Sequence, residues 1–169
     1  MAKTVVSTIS GLKERVGLDL GTSEWVEVSQ KQIDAFAEAT GDHQWIHVDV
    51  DRAREESPFK TPIAHGYLTI ALGPVLLPSL LHVEGVGQIV NYGIDKMRLP
   101  APVPAGSRVR LSASIKSVRD LPSGAARVAF ALTFEIEGGS KPACTGDAVF
   151  VYFPETVEAP PAQRSDDAQ

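Results

Sequence analysis

Asp42 and His47 stand five positions apart in Thr40-Gly41-Asp42-His43-Gln44-Trp45-Ile46-His47. On an unbroken helix five residues turn through about 500°, which leaves the two side chains about 140° apart. Gly41 is placed to end a helix just ahead of them, so a turn can fold Asp42 and His47 back toward each other. A carboxylate and an imidazole sharing one water form a minimal acid–base pair: one takes the water proton while the other supplies a proton elsewhere. The same spacing also fits an Asx turn at Asp42 with a packing or surface role for His47. His43 and His47 stand at i, i+4, a metal-binding spacing on a helix, and Asp42 and Asp49 offer oxygen ligands. No glutamate follows the first histidine as in H-E-x-x-H, so no metal site is expected.

Thr61-Pro62-Ile63-Ala64-His65-Gly66 leads into an apolar helix. The first N–H groups of such a helix are unpaired and carry the positive end of its dipole. An N–H at Gly66 can hold a carbonyl oxygen as negative charge develops on it; tight packing would explain the same glycine. His65 reads as a loop residue that hydrogen-bonds locally. Asn91-Tyr92-Gly93 falls within a strand, although Asn and Gly are poor strand formers. It marks either a bulge or a close approach by a ligand or a second backbone. Cys144 reads as a buried thiol. Lys96, Arg98, Arg108 and Arg110 read mostly as solvated strand faces. There is no G-x-S-x-G elbow, Walker A loop or G-x-G-x-x-G, so serine-hydrolase, P-loop and dinucleotide readings lose their main support.

The elements that must position these residues are visible in outline. Residues 1–23 read as a short helical lead-in and a loop punctuated by Gly17 and Gly21. Trp25, Val26 and Val28 suggest a short strand. Ser29 and Gln32 form an S-x-x-Q capping box, and Ile33, Phe36, Ala37 and Thr40 follow at helical spacing. The stretch 42–47 fits neither period. Asp49 or Asp51 can cap a short helix through Arg52, Ala53 and Arg54. Residues 62–81 run for 20 positions without Asp, Glu, Lys or Arg. They read as a helix from about Gly66 to Leu81, buried all round and kinked or divided at Pro74. Strands follow over 88–99, 108–118, 127–137 and 142–153, with turns at Leu121–Gly124 and Gly138–Gly139. Val109, Leu111, Ala113 and Ile115 share one face of the second; Val128, Phe130, Leu132, Phe134 and Ile136 share one face of the third. Short meander connections imply an antiparallel sheet. A sheet wrapped around a central apolar helix leaves one side of that helix to be covered, most simply by a second copy, which predicts a homodimer.

Composition bounds the rest. A chain of 169 residues, 43% apolar and 22% charged, suits one folded domain, expected over 24–153 behind the 1–23 lead-in. Residues 154–169 carry a net charge of −3 out of the chain's −5 and read as a flexible, acidic, Pro-rich tail. The acidic balance and the lack of a basic run argue against nucleic acid as the main partner. A single cysteine excludes an intrachain disulfide and fits the cytoplasm. The first ten residues do not read as a signal peptide. The prolines and missing basic flanks of 62–81 argue against a membrane span.

Thr40 to His47, with Ala53 beyond, resembles the MaoC-like, R-specific enoyl-CoA hydratases, whose motif is G-D-x-N-P-hydrophobe-H with a small residue six positions on. Gln44 and Trp45 replace the Asn and Pro, as in actinobacterial 3-hydroxyacyl-thioester dehydratases of the single hot-dog type. The resemblance continues through Pro62–Gly66, Asn91–Arg98 and Pro100–Ser107 and covers about residues 20–153. It implies an α+β hot-dog fold: an antiparallel sheet around a long central helix, paired into a homodimer with a continuous sheet. It also implies reversible, metal-free and cofactor-free addition of water to trans-2-enoyl thioesters, with an acyl-CoA or acyl-carrier-protein thioester as substrate. Asp42 and His47 then correspond to the catalytic pair, Asp42 as base and His47 as proton donor to C2. The Gly66 N–H corresponds to the thioester-carbonyl site, with Tyr67 beside it and Asn91 and Gly93 bordering it. A hot-dog thioesterase and a non-catalytic acyl-thioester binder are the alternatives on this fold.

Overall fold

The computed structural model describes residues 3–155; the tail expected over 154–169 lies, from residue 156 onward, outside the described residues. The long strands form where alternation is strongest. β6 (Ser107–Asp120), β7 (Ala126–Ile136) and β8 (Cys144–Pro154) pair antiparallel, and β5 (Val86–Arg98) lies beyond β8 at the edge. On the concave face Val109, Leu111, Ile115, Val128, Phe130 and Phe134 are all fully buried, as the period of two requires. Ile136 shares that face but is only partly covered. On the opposite face Arg108 pairs with Glu137 and Arg110 with Glu135, the solvated roles expected of both arginines.

The apolar helix divides in two. α4 (Gly66–Ala71) and α5 (Gly73–Leu80) meet at Leu72, and Pro74 sits in the first turn of α5, where its missing N–H has no partner to lose. Leu76, Leu77 and Leu80 pack into the core against the concave sheet. The pair is not buried all round: Tyr67 is 72% and Val75 70% exposed, on a side that no described residue covers.

The first 23 residues differ from the lead-in and loop read from sequence. β1 (Thr4–Val6) pairs in parallel with β4 (Leu81–Val83), and β2 (Asp19–Thr22) joins the main sheet beside β6. Between them a 3-10 helix, Ser10–Arg15, buries Leu12 completely. Strands of three and four residues are too short to show an alternation. β3 (Val26–Val28) also pairs with β6, at the other end of that strand. β5 is exposed along nearly its whole length, which explains its weak pattern: among the described residues only its ends, at Val86 and Met97, pack against the core.

Candidate active site

α1 (Gln30–Thr40) starts on the expected capping box, with both reciprocal bonds between Ser29 and Gln32 present. It ends at Gly41, whose φ of 77° is the left-handed conformation that glycine adopts without penalty. That reversal turns the chain through Asp42 into α2 (Trp45–Val48), a single helical turn that the mixed polar and aromatic sequence concealed. α3 (Val50–Glu56) follows, capped by Asp49, whose carboxylate accepts from the Arg52 N–H at 3.0 Å. Ala53 on α3 is fully buried, which accounts for the small residue at that position.

His47 is buried, 6% exposed. Its Nδ1 lies 2.7 Å from the Ile63 carbonyl oxygen. A carbonyl only accepts, so Nδ1 carries the hydrogen and the neutral ring presents a lone pair at Nε2. Gln30 Nε2 donates to the His47 carbonyl at 2.7 Å, tying α2 to α1. Burial holds the His47 pKa below the ordinary histidine value; the Ile63 hydrogen bond opposes this, the neighbouring His65 adds to it, and Asp42 opposes it.

Asp42, His47, Gly66 and Tyr67 line one cavity of about 260 Å³, together with Phe36, Thr40 and His65. Asp42, His47 and His65 bring ligand-type atoms within 4.8 Å of one another. One water hydrogen-bonded at about 2.8 Å to a carboxylate and an imidazole spans that gap. Gly66 opens α4, and among the described residues no protein acceptor meets its N–H. The Leu99 side chain leans on it: a Cβ at position 66 would stand 2.4 Å from Leu99 Cδ1. The Asx turn is present only in a stretched form, with the Gln44 N–H 3.4 Å from Asp42 Oδ1.

Asn91 and Gly93 are not in this cavity. They line a separate apolar groove of about 270 Å³ between the α4–α5 pair and β5, with Gly73, Pro74, Leu132 and Phe150. The strand register shifts between them, so the bulge is what the unusual composition encodes. Among the described residues nothing lies within 4 Å of a Cβ at Gly93, so no described backbone approaches there.

The residue that sequence reading undervalued is His65. It makes no cap bond to α4 and is not a local loop contact. Its buried ring stacks on His47, centroids 3.8 Å apart and planes at 28°, and its Nε2 reaches the Asp42 carbonyl at 2.9 Å. A histidine in a charge-free apolar stretch was the available signal. Asp42, His47 and His65 have the donor types of a metal centre, but the stacking opposes one. An ion about 2 Å from a nitrogen of each ring would lie between the planes, off the line of both lone pairs.

Residues 12–129 match the MaoC like domain, well over half of the chain. The chain belongs to the MaoC-like family. Within it, the chain is 46% identical over 145 residues to 3-hydroxyacyl-thioester dehydratase Z of Mycobacterium tuberculosis, covering 86% of this chain and 95% of that protein. It is 39% identical over 150 residues to nodulation protein N of Rhizobium meliloti, covering 85% and 90%. Among solved structures, R-hydratase PhaJ1 from Pseudomonas aeruginosa superposes with a TM-score of 0.64 at 25% identity, over 85% of this chain and 91% of that one. The helix pair cradled by an antiparallel sheet is thus the hot-dog fold that the sequence resemblance implied.

Proposed function

We propose that this MaoC-like protein is an R-specific hydro-lyase that reversibly adds water across trans-2-enoyl thioesters to give (3R)-3-hydroxyacyl thioesters. The observation that carries the reading is the cavity shared by Asp42, His47 and the unpaired Gly66 N–H. The dehydratase and R-hydratase relatives support it.

The role of base, given to Asp42 in the sequence reading, passes here to His47, on the support of its hydrogen bonding. With Nδ1–H committed to Ile63, neutral His47 has no proton to give until it has taken one. His47 Nε2 is therefore the base. It takes a proton from the bound water as the water oxygen bonds to C3 and the C2=C3 π electrons move onto the thioester as an enolate. The imidazolium then returns that proton to C2. Asp42 stays a carboxylate, orienting the water through its second hydrogen and steadying the imidazolium. The Gly66 N–H holds the enolate oxygen. Dehydration runs the same steps in reverse. The carrier is CoA or an acyl carrier protein, and the reaction draws on no metal or cofactor. Cytoplasmic location suits the buried free thiol of Cys144. No described helix is long and apolar enough to cross a membrane.

The working form is a homodimer. Among the described residues β5 hydrogen-bonds to β8 alone, and Ile89, Val90, Tyr92 and Ile94 along it are exposed, as are Tyr67 and Val75 on the helices. An unpaired edge with so much apolar surface is a site for a partner strand. Antiparallel pairing of two β5 edges makes one continuous sheet and covers the open side of the helices.

Loss of the enoyl-thioester absorbance band with crotonyl-CoA and a longer trans-2-enoyl-CoA tests the activity. The expected result is a loss unaffected by chelator and without release of free thiol. Thiol release would instead make the protein a thioesterase; binding without any absorbance change would make it a binder.

A further inference from the structure

The mechanism above gives His65 nothing to do, yet His65 is 3% exposed and touches both working residues. Its ring face lies on His47, and Phe36 packs on it at 5.0 Å. Its Nε2 must carry a hydrogen, because its partner is the Asp42 carbonyl oxygen. Its Nδ1 is buried without a partner.

Asp42 needs such an anchor. It sits in the link between α1 and α2 with a side chain 55% exposed. Of the hydrogen bonds at Asp42 among the described residues, its own N–H to Thr40 Oγ1 and the Gln44 N–H to its Oδ1 are both 3.4 Å long. The bond from His65, at 2.9 Å, is the one of ordinary length.

We infer that His65 is a positioning residue that sets Asp42 and His47 against each other, its ring face fixing the plane of His47 and its Nε2–H holding the Asp42 main chain. The inference rests on the hydratase reading for its catalytic consequence, not for its geometry. The other titratable groups around His47 are Asp42 from the preceding link and Tyr67 on α4; α1 presents the neutral Gln30 amide, which bridges Asp34 and the His47 carbonyl.

Three variants separate the contacts. His65→Phe keeps an aromatic face and loses the donor, His65→Gln keeps a donor and loses the ring, and His65→Ala loses both. With crotonyl-CoA, His65→Ala is expected to lower kcat by about 10²-fold, with KM changing by less than about threefold. The other two fall between it and wild type. The ring C–H signals of the four histidines, assigned by single substitution, report the geometry without turnover. His47 should titrate at higher pH in His65→Gln and His65→Ala, where the covering ring is gone, than in wild type or His65→Phe. Wild-type His65 itself should carry a hydrogen on Nε2. Folded variants with kcat within about threefold of wild type and an unmoved His47 titration would overturn the inference. So would a wild-type His65 whose only ring hydrogen is on Nδ1, a result that needs no variant to fold. A wild-type protein that hydrates no enoyl thioester would instead sink the functional reading and leave the NMR test of His65 standing.

Discussion

The two cavities beside α4 are built differently. The candidate catalytic one is local and carries a carboxylate and two imidazoles: every residue lining it falls between Phe36 and Tyr67, and main-chain carbonyls of Asp42 and Ile63 fix its histidines. The groove beside β5 is apolar and assembled from distant segments, Ile70 to Met97 on one side and Leu132 to Phe150 on the other. Chemistry needs atoms held to a fraction of an ångström, which short connections and buried hydrogen bonds supply. Holding an acyl chain needs dry, adaptable surface, which a strand edge and a helix supply more loosely. Substitutions in the first cavity should therefore act on turnover, and substitutions in the second on assembly and substrate affinity.

The largest effect should come from the cavity that holds Asp42 and His47. Asp42→Asn and His47→Gln are each expected to lower kcat by about 10²–10⁴-fold, with the far-UV spectrum and thermal midpoint retained. Near-wild-type turnover in either would remove the contrast between the cavities. Gly66→Ala should cost about tenfold in kcat/KM, because the new methyl must push Leu99 aside. Adding Leu99→Ala should recover part of that loss; if it does not, Leu99 is not what the methyl meets.

At the groove, Ile94→Lys places a charge on the exposed β5 edge. Light scattering should then show one chain mass instead of two, with KM for a long enoyl thioester rising about threefold or more and the Asp42–His47 geometry intact. A variant that stays dimeric would put the second copy on another face. The smallest effect concerns pH. Hydration needs neutral His47, and burial lowers its pKa from the usual 6.5. Activity should persist as pH falls through 6.5 and fail only below it, so the acid limb of kcat/KM lies on the low side of that value. A limb at or above it would mean that the ring is more hydrated than its surroundings indicate.

Much of the catalytic cavity was legible because its determinants are local. The capping box at Ser29, the helix end at Gly41 and the proline-bounded approach to Gly66 are short-range signals, and they bracket Asp42 and His47. The role of His65 was not legible. Its partners are 18 and 23 positions away, and nothing in a run of apolar residues says which histidine they will meet. Asn91 and Gly93 show another limit: their composition flagged a special backbone, which is the bulge between them, but sequence does not say which cavity that bulge lines.

By itself the sequence determined the buried faces of β6 and β7, the caps of α1 and the break at Pro74, because periodicity, capping and proline geometry act over a few residues. Only the tertiary structure decided which proton His47 carries, that His65 ties the two working residues together, and that residues 4–22 join the sheets and the core. Those outcomes depend on which carbonyls and strands come to lie opposite one another, and that follows from the packing of the whole chain.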